Sequence, residues 1–404
     1  MSNHTICLNM IVKDESSIIL NTLNNLVEHI KLDYWVICDT GSTDNTAELI
    51  ETFFMEKGIS GELIHDPWQD FAYNRTRALE FAYKKTDFVF IFDADDRIVG
   101  NLKLPELKRG MAYHMQFGWG VTWKRMPLVD NHIKWYYEGV MHEIIATKEP
   151  YNIEAIEGDY HIATNVEVSA RNKKGPKKFE DDALILVKAF EKNDHLKPRY
   201  AFYAGECFRF SGKKNWDKSI EWYTLAANTS NQWPQERYWA CYQLGNLYRD
   251  LGEKEKSWYW WFKSYEFDKQ RQEAFFELIK ECRATNKFKQ AEVYYNMLEY
   301  LPENQKEHKL FIMNHIYDHS LYSEMVINYF YLGKMKEANN MLKKLFTAKK
   351  PIPQYMNMTN YNLKYFLPHI ERTDWEFYAK FQRYARKFNL PEDIIKSVDK
   401  LFEE

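Results

Sequence analysis

The chain has 404 residues, of which 45% are hydrophobic and 17% aromatic, so composition predicts a folded protein of about two or three domains. Its formal net charge of −3 argues against non-specific nucleic-acid binding over the whole surface. The five cysteines are far apart and form no C-x-x-C pair, which favours reduced, buried thiols over a disulfide framework. Since the sequence shows neither a signal-peptide pattern nor a stretch typical of a membrane span, we expect a cytoplasmic protein.

Residues 1–165 alternate between strand-like and helix-like segments. In chain order, the patterns predict a strand at Ile6–Val12, a helix at Ser16–His29, a strand at Tyr34–Cys38, a helix at Thr43–Lys57, a short strand at Gly61–Ile64, a helix at Tyr73–Lys84 and a strand at Asp87–Phe92. Strand and helix alternation at this spacing predicts right-handed crossovers and a mostly parallel sheet.

Three of the predicted strands run into acidic or polar turns, at residues 13–15, 39–44 and 93–96. In a parallel sheet these turns share one edge, which is where open α/β sheets hold their ligands. The last turn is Asp93-Ala-Asp95-Asp96, and carboxylates spaced in this way can hold a divalent cation that bridges a diphosphate. An acidic turn that merely caps a strand has the same sequence, so the neighbouring motifs must decide.

Three neighbouring motifs each have a functional and an ordinary interpretation. Asp39 ends a strand and could accept the imide N–H of a uracil base, although the turn after it could be a simple helix cap. Arg75 could bind a diphosphate through its guanidinium fork, or could lie on the wet face of an amphipathic helix. His142 and Glu143 follow an aromatic segment that would desolvate them for catalysis, whereas an isolated His-Glu pair is usually surface polarity.

From about residue 180 onward the pattern is helical. Gly252 and Asn286 lie 34 residues apart (286 − 252), and Trp239-x-x-Tyr-Gln-Leu-Gly-x-x-Tyr248 follows the tetratricopeptide pattern of aromatic and small residues. Three repeats are predicted, with a degenerate fourth around Ser323–Leu345 and a terminal helix pair over Asp374–Glu404. The basic segment Arg171–Lys178 is predicted to be a solvated linker, with a mobile lid over a diphosphate as the alternative.

Taken together, these motifs resemble family 2 glycosyltransferases of the GT-A fold that carry a C-terminal tetratricopeptide array. The resemblance spans roughly residues 5–300 and is carried by the motifs Leu8–Glu15, Val36–Asp44, Pro67–Arg75, Phe92–Asp96, Gly139–Glu143 and Pro198–Tyr203. It implies an α/β GT-A catalytic domain over residues 1–170, a basic linker or lid at 171–182, and an all-α repeat domain over 183–404. Where the family subgroup typically has Lys-Asn-Glu, this chain has Lys13-Asp14-Glu15.

The resemblance also implies roles for individual residues in an inverting transfer from a nucleotide sugar. Asp39 would contact the base, Lys13 and Glu15 would line the nucleoside pocket, Arg75 would approach the diphosphate, Asp93 would lie near the ribose or metal, and Asp95 would bind Mn²⁺ or Mg²⁺.

The catalytic base is predicted to be Glu143, because inversion needs one carboxylate to deprotonate the acceptor. His142 is a possible further metal ligand, and Glu138 and Asp130 remain rival bases. Arg125 matches a family position before the His-Glu motif, but no role follows from the sequence.

The leading hypothesis is a metal-dependent enzyme that moves a sugar from a UDP-sugar to a protein, peptide or glycan acceptor. A non-catalytic scaffold, with a degenerate sheet domain and peptide-binding repeats, is the main alternative. A nucleotidyltransferase ranks last, because residues 9–16 contain no glycine for a phosphate-binding loop. The repeats could position the acceptor or mediate homodimerisation.

Overall fold

The computed structural model describes residues 4–164, 175–192, 195–300, 309–346, 369 and 374–403. It divides into two compact units. The first comprises the described residues of Met1–Ala240 and Glu307–Phe311, and the second those of Cys241–Lys306 and Ile312–Glu404.

The first unit begins with the alternation that the sequence predicts. Its first elements are β1 (Ile6–Val12), α1 (Ile19–His29), β2 (Tyr34–Asp39), α2 (Thr46–Lys57), β3 (Gly61–His65), α3 (Phe71–Ala82) and β4 (Phe88–Ile91). Every predicted strand and helix in this stretch is confirmed, and the bounds shift by three residues at most.

Seven further strands follow β4, where the sequence analysis assigned no elements. They are β5 (Arg97–Gly100), β6 (Met111–Phe117), β7 (Val121–Asp130), β8 (Tyr136–Glu138), β9 (Ile144–Ala146), β10 (Asn152–Ala155) and β11 (Tyr160–Ala163). The main sheet has the strand order β3-β2-β1-β4-β7-β6-β11-β5, with β10 beside β6, while β8 and β9 form a separate antiparallel pair. Strands β3, β2, β1 and β4 are parallel, and β7 is antiparallel to β4, so the sheet is mixed beyond its first four strands.

Strands β1, β2 and β4 of this sheet are buried on both faces. In β1, Leu8 and Met10 face a core that includes residues of α1 and α2, whereas Cys7 faces the opposite core with Leu79 of α3. Asn9 also lies on the α3 side, and its amide donates to the carbonyl oxygen of Ala78 at 2.9 Å. Helices therefore cover both faces of the parallel half, which leaves the carboxyl edge of its strands as the place for polar turns.

Helices predominate in the described residues that follow β11. The first unit continues with α4 (Pro176–Glu191), α5 (Lys197–Phe210), a 3₁₀ turn (Lys213–Asn215), α6 (Trp216–Asn228) and the start of α7 (Pro234–Asp250). The second unit contains the end of α7 with α8 (Lys254–Ser264), α9 (Glu273–Ala284), α10 (Phe288–Met297), a short β12 (Ile312–Met313), a π turn (Ile316–Ser320), α11 (Leu321–Tyr331), α12 (Met335–Leu345), α13 (Trp375–Phe388) and α14 (Glu392–Glu403).

The predicted repeat register appears in the turns between paired helices. Gly252, Asn286 and Gly333 each have positive φ, at 81°, 58° and 71°, and each lies between the two helices of a pair. Small residues also meet aromatic rings as predicted, because a Cβ on Gly245 would lie 2.2 Å from the ring of Trp261. The repeat interpretation and the terminal helix pair are therefore confirmed.

The basic segment is described only in part. Residues 171–174 lie outside the described residues, and Pro176–Lys178 form the first turn of α4. The linker or lid, and the predicted domain boundary there, stay predictions. None of the helices that the structure describes has the length and hydropathy to span a bilayer.

Candidate active site at the carboxyl edge of the sheet

Two of the predicted turns are joined directly to each other. Asp14, at φ 55°, accepts hydrogen bonds from the backbone N–H and the hydroxyl of Thr43, at 2.7 and 3.1 Å. In return, the hydroxyl of Ser42 accepts from the backbone N–H of Asp14 at 3.0 Å. Lys13 is exposed and Glu15 half-buried within the same turn. Because β1 and β2 are parallel neighbours, with Val12 opposite Asp39, their final turns meet at one edge.

Asp44 stabilises the carboxyl end of the turn at residues 39–44. Its carboxylate accepts from the N–H and the hydroxyl of Thr46, at 3.0 and 2.5 Å, and from the N–H of Ser16 at 3.2 Å. Partial burial alone would raise the pKa of Asp44, but the hydrogen bonds from Thr46 and Ser16 lower it to about 2. The hydroxyl of Thr46 then accepts from the backbone N–H of Glu15 at 2.8 Å. These contacts fix the rim that Lys13 and Glu15 occupy.

Asp39 is 3% exposed, and its two carboxylate oxygens make different contacts. Oδ1 accepts from the backbone N–H groups of Gly41 and Ser42, at 3.1 and 2.8 Å, and so stabilises the turn that follows β2. Oδ2 lies 3.7 Å from Nδ1 of the exposed His65. The turn therefore uses one oxygen, and the other faces a polar neighbour at the carboxyl ends of β2 and β3.

The start of α3 is held by two side chains that carry Arg75 into the interior. Asp70 caps the helix by accepting from the N–H of Tyr73 at 2.8 Å. Asn74 is fully buried and donates to the carbonyl oxygen of Pro67 at 3.1 Å, while its own oxygen accepts from the N–H of Gln69 at 2.9 Å. These hydrogen bonds fix the loop before α3. The Arg75 side chain is therefore buried in the protein instead of lying on the solvent-exposed face of the helix.

Arg75 joins two of the predicted site carboxylates. Its Nη2 donates to Oδ1 of Asp93 at 2.5 Å, and its Nε lies 2.6 Å from Oε1 of Glu143. Only 9% of the Arg75 side chain and 10% of the Glu143 side chain are exposed. A guanidinium suits this position because its planar fork can reach two carboxylates at once.

Arg125 completes this cluster from β7. Its Nη1 lies 3.6 Å from the other carboxylate oxygen of Asp93, Oδ2, and its guanidinium lies over the ring of Phe117 at 4.9 Å from the centroid. The sequence marked Arg125 without assigning it a role. The structure gives it one, because β7 pairs with β4 and so brings Arg125 beside the turn that follows β4.

The charges of the cluster move the pKa values of its members in opposite directions. Burial alone would raise the pKa of Asp93, but Arg75 and Arg125 hold it below its ordinary value. Burial, reinforced by the charge of Asp93, raises the pKa of Asp96 well above its ordinary value. Burial also raises the pKa of Tyr137, whose ring lies 5.7 Å from the Arg75 guanidinium, to about 12. The sequence placed Asp96 in the acidic turn without a role of its own and did not single out Tyr137, because the importance of both comes from these neighbours.

The fit of a divalent cation depends on Asp95. Asp95 is half-buried in the turn after β4. No group of three His, Cys, Asp or Glu side chains in the described ranges is arranged to hold a metal ion. Mg²⁺ is commonly bound by only one or two carboxylates together with substrate phosphates, so Asp95 fits as a single protein ligand that a diphosphate would complement.

His142 packs against α5. Its ring stacks on that of Tyr203 with 3.9 Å between centroids and 9° between planes, and its Nε2 lies 4.0 Å from Sγ of Cys207. The predicted role of His142 as a metal ligand therefore stays a prediction, and the observed contacts indicate that the ring helps to fix the turn.

The two rival bases differ sharply in position. Asp130 lies opposite Phe88, at the amino end of β4, and its carboxylate accepts from Arg109, Gly110 and His132. Because Asp93 follows the carboxyl end of the same strand, Asp130 is at the wrong edge of the sheet and is excluded as a base. Glu138 stays a rival, with its Oε2 2.8 Å from Nε2 of His195.

Comparison with protein families gives one match, since residues 7–142 match the model described as Glycosyl transferase family 2. No curated protein matches the chain significantly.

Among solved structures, the chain resembles TarS 1-349 of S. aureus in complex with UDP at 13% identity and a TM-score of 0.30, over 66% of this chain and 92% of that chain. It resembles a tetratricopeptide repeat protein from Parabacteroides merdae at 17% identity and a TM-score of 0.27, over 56% and 93% of the two chains. It resembles a chain of the APC/C hetero-tetramer Cut9-Hcn1 at 12% identity and a TM-score of 0.33. That match covers 56% of this chain but only 40% of the other chain.

Proposed function

We propose that the protein transfers a sugar, with inversion, from a UDP-sugar donor to a protein, peptide or glycan acceptor, because residues 7–142 match the model of family 2 glycosyltransferases. The observation that carries this proposal is the buried contact of Arg75 with both Asp93 and Glu143. A degenerate domain that served only as a scaffold would have no need to bury two carboxylates and a guanidinium at a ligand-binding edge, since burial of charge is costly.

The donor is proposed to bind along the rim formed by the first two turns. Asp39 would accept the imide N–H of the uracil base through Oδ2, because its Oδ1 is already used by the turn. Lys13 and Glu15 would line the nucleoside pocket beside it. The hydrogen bonds between residues 14–16 and 42–46 support this assignment, since a fixed rim loses little freedom when a ligand binds.

The sugar and diphosphate are proposed to lie near Asp93 and Arg75. Asp93 would face the ribose or the metal, and Arg75 would direct its positive charge toward the diphosphate while it holds the two carboxylates in place. Glu143 is the proposed base, which takes a proton from the acceptor nucleophile. Inversion then requires the nucleophile to attack the anomeric carbon from the face opposite the departing UDP.

A divalent cation, Mn²⁺ or Mg²⁺, would be held by Asp95 and by the phosphate oxygens of the donor. When bound, such a cation would neutralise charge that develops on the departing diphosphate. The residues around the site would position the donor and hold Glu143 toward the acceptor.

The helical repeats are proposed to position the acceptor, with homodimerisation as a further use. We also propose a cytoplasmic location, which is supported by five buried cysteines that suit a reducing compartment.

The proposal is tested by thermal-shift measurements on the full chain with UDP and UDP-sugars, with and without Mn²⁺, followed by assays of UDP release with candidate acceptors. A ligand that binds only the folded state raises the melting temperature, so we expect a metal-dependent shift with UDP. Asp95→Ala should abolish the metal dependence and the UDP release while the protein remains folded. The exposed Glu255→Ala serves as the matched control.

Two results would overturn parts of the proposal. Full UDP release by folded Asp95→Ala would exclude Asp95 as the metal ligand. Absence of any nucleotide binding with Mn²⁺ present, together with peptide binding by the full chain, would favour the scaffold.

A further inference from the structure

The turn that carries Glu143 lacks regular secondary structure of its own. Residues 139–143 lie between β8 and β9. His142 has φ 51°, which is in the left-handed region that residues other than glycine rarely adopt. A non-glycine residue keeps such a conformation only where its surroundings hold it there. The surroundings therefore determine where the Glu143 carboxylate points.

Helix α5 supplies much of this support. Besides the parallel stack of Tyr203 on the His142 ring, Nε of Arg199 donates to the carbonyl oxygen of His142 at 2.9 Å. Arg199 and Tyr203 are one helical turn apart, so a single face of α5 contacts both the ring and the backbone of His142.

Arg199 is itself fixed from the other side. Its Nη1 donates to Oε1 of Glu236 at 2.7 Å, and Glu236 is only 3% exposed. The Arg199 guanidinium also lies over the Tyr203 ring at 4.7 Å from the centroid. Glu236 and Tyr203 therefore hold the Arg199 guanidinium in place for its contact with the turn.

At its other end the turn meets the charge cluster, since Glu143 contacts Arg75 and Arg75 contacts Asp93. A continuous series of contacts thus leads from Tyr203 through His142 and Glu143 to Arg75. Glu143 contacts Arg75 on one side, and helix α5 holds the neighbouring His142 on the other.

We propose that Arg199 and Tyr203 are positioning residues for the catalytic base, so that helix α5 completes the active site and the catalytic unit extends beyond the sheet domain. This inference rests on the proposed function, with Glu143 as the base. Its consequence is that the contacts of α5 control turnover rather than donor binding, because α5 contacts the turn that carries the proposed catalytic base.

Variants at Tyr203 test this inference in the full chain. Tyr203→Leu removes the stack on His142, whereas Tyr203→Phe keeps the ring. Phe208→Leu is the matched control, because Phe208 is buried on the same helix and Nζ of Lys218 in α6 lies 5.3 Å from the centroid of its ring. Each variant is compared with wild type by melting temperature, UDP affinity, and the kcat and KM for the donor.

We expect Tyr203→Leu to lower kcat by roughly 100-fold, as a small misplacement of a reacting group does, with UDP affinity and donor KM unchanged. Tyr203→Phe should restore kcat, and Phe208→Leu should keep the wild-type kcat. An NMR signature gives an independent readout: with ¹³C-labelled histidine, assigned by His142→Gln, the His142 ring protons should shift in Tyr203→Leu and keep their position in Tyr203→Phe, because stacked rings shift each other's resonances.

The outcomes separate this inference from the proposed function. An equal loss of kcat in Phe208→Leu and Tyr203→Leu would reduce α5 to a structural support and overturn the inference, as would wild-type kcat in Tyr203→Leu. Unmoved His142 resonances in Tyr203→Leu would overturn the contact itself, even if the wild type transferred no sugar. A wild type that binds no nucleotide and turns over no donor would instead refute the proposed function.

Discussion

Arg75 lies 2.5 Å from Asp93 and 2.6 Å from Glu143, so one guanidinium bridges the turn after β4 and the turn before β9. The two carboxylates come from separate parts of the sheet domain, and their spacing is set by the span of the guanidinium. Burial alone would lower the pKa of Arg75, but Asp93 and Glu143 raise it, so the bridge stays charged.

Removing the bridging cation is expected to be costly. Arg75→Met should lower the free energy of unfolding by about 3–5 kcal/mol, because it leaves Asp93 and Glu143 without their shared partner in a buried site. Arg75→Lys should lose less stability but still lose turnover, since an ammonium group lacks the planar fork. Urea unfolding and UDP release measure the two effects. Wild-type stability in Arg75→Met would show that the bridge is not formed in solution.

The variant Asp39→Asn separates the role of Asp39 in stabilising its turn from its proposed role in recognising the uracil base. The amide oxygen of asparagine can still accept from Gly41 and Ser42, so we expect little change in melting temperature. The amide cannot replace the carboxylate as a charged acceptor, so UDP affinity should fall by about tenfold, equivalent to about 1.4 kcal/mol. Isothermal titration with UDP measures this loss, and Asp39→Ala, which removes both functions, provides the comparison. Unchanged UDP affinity in Asp39→Asn would argue against base recognition by Asp39.

Asp44 should stabilise the fold in a pH-dependent manner. Its folded pKa of about 2 is below its ordinary value of 3.8, so the ionised carboxylate stabilises the protein above about pH 4, and this stabilisation is lost as the pH falls toward 2. Compared with Asp44→Ala, the wild type should be more stable at pH 6, by less than about 1 kcal/mol because the site is exposed, and the difference should narrow at pH 3. Denaturant unfolding at both pH values measures it. A difference that grew on acidification would contradict the assigned direction.

Gly245→Ala tests the packing of the helical repeats. An added Cβ would lie 2.2 Å from the Trp261 ring, so the helices must separate or the ring must move. We expect a loss of about 1–3 kcal/mol in the free energy of unfolding, as is typical of overpacking. The neighbouring half-buried Asn246→Ala should have a smaller effect in the same urea titration. Equal effects of the two variants would indicate that close approach at Gly245 is unimportant.

The parallel half of the sheet could be predicted from the sequence because its strands are short apolar runs separated by amphipathic helices. The later strands, from Arg97 to Ala163, were not assigned. Several of them, such as Asn152–Ala155, are only partly buried, so their residues carry weak hydrophobic patterns. The repeat register was readable because Gly252, Asn286 and Gly333 meet a backbone requirement that recurs along the chain.

The sequence by itself determined that acidic turns follow parallel strands, and therefore that Asp39, Asp93 and Asp95 share one edge of the sheet. Hydrophobic periodicity and strand direction are local properties, and they are sufficient for that conclusion. Only the tertiary structure decided the partners: Arg75 with Asp93 and Glu143, Arg125 with Asp93, and Arg199 with the His142 turn. Such pairs depend on how an antiparallel strand and a distant helix pack against the sheet. Sequence spacing does not encode those distances, and the charges are buried only because the pairs form.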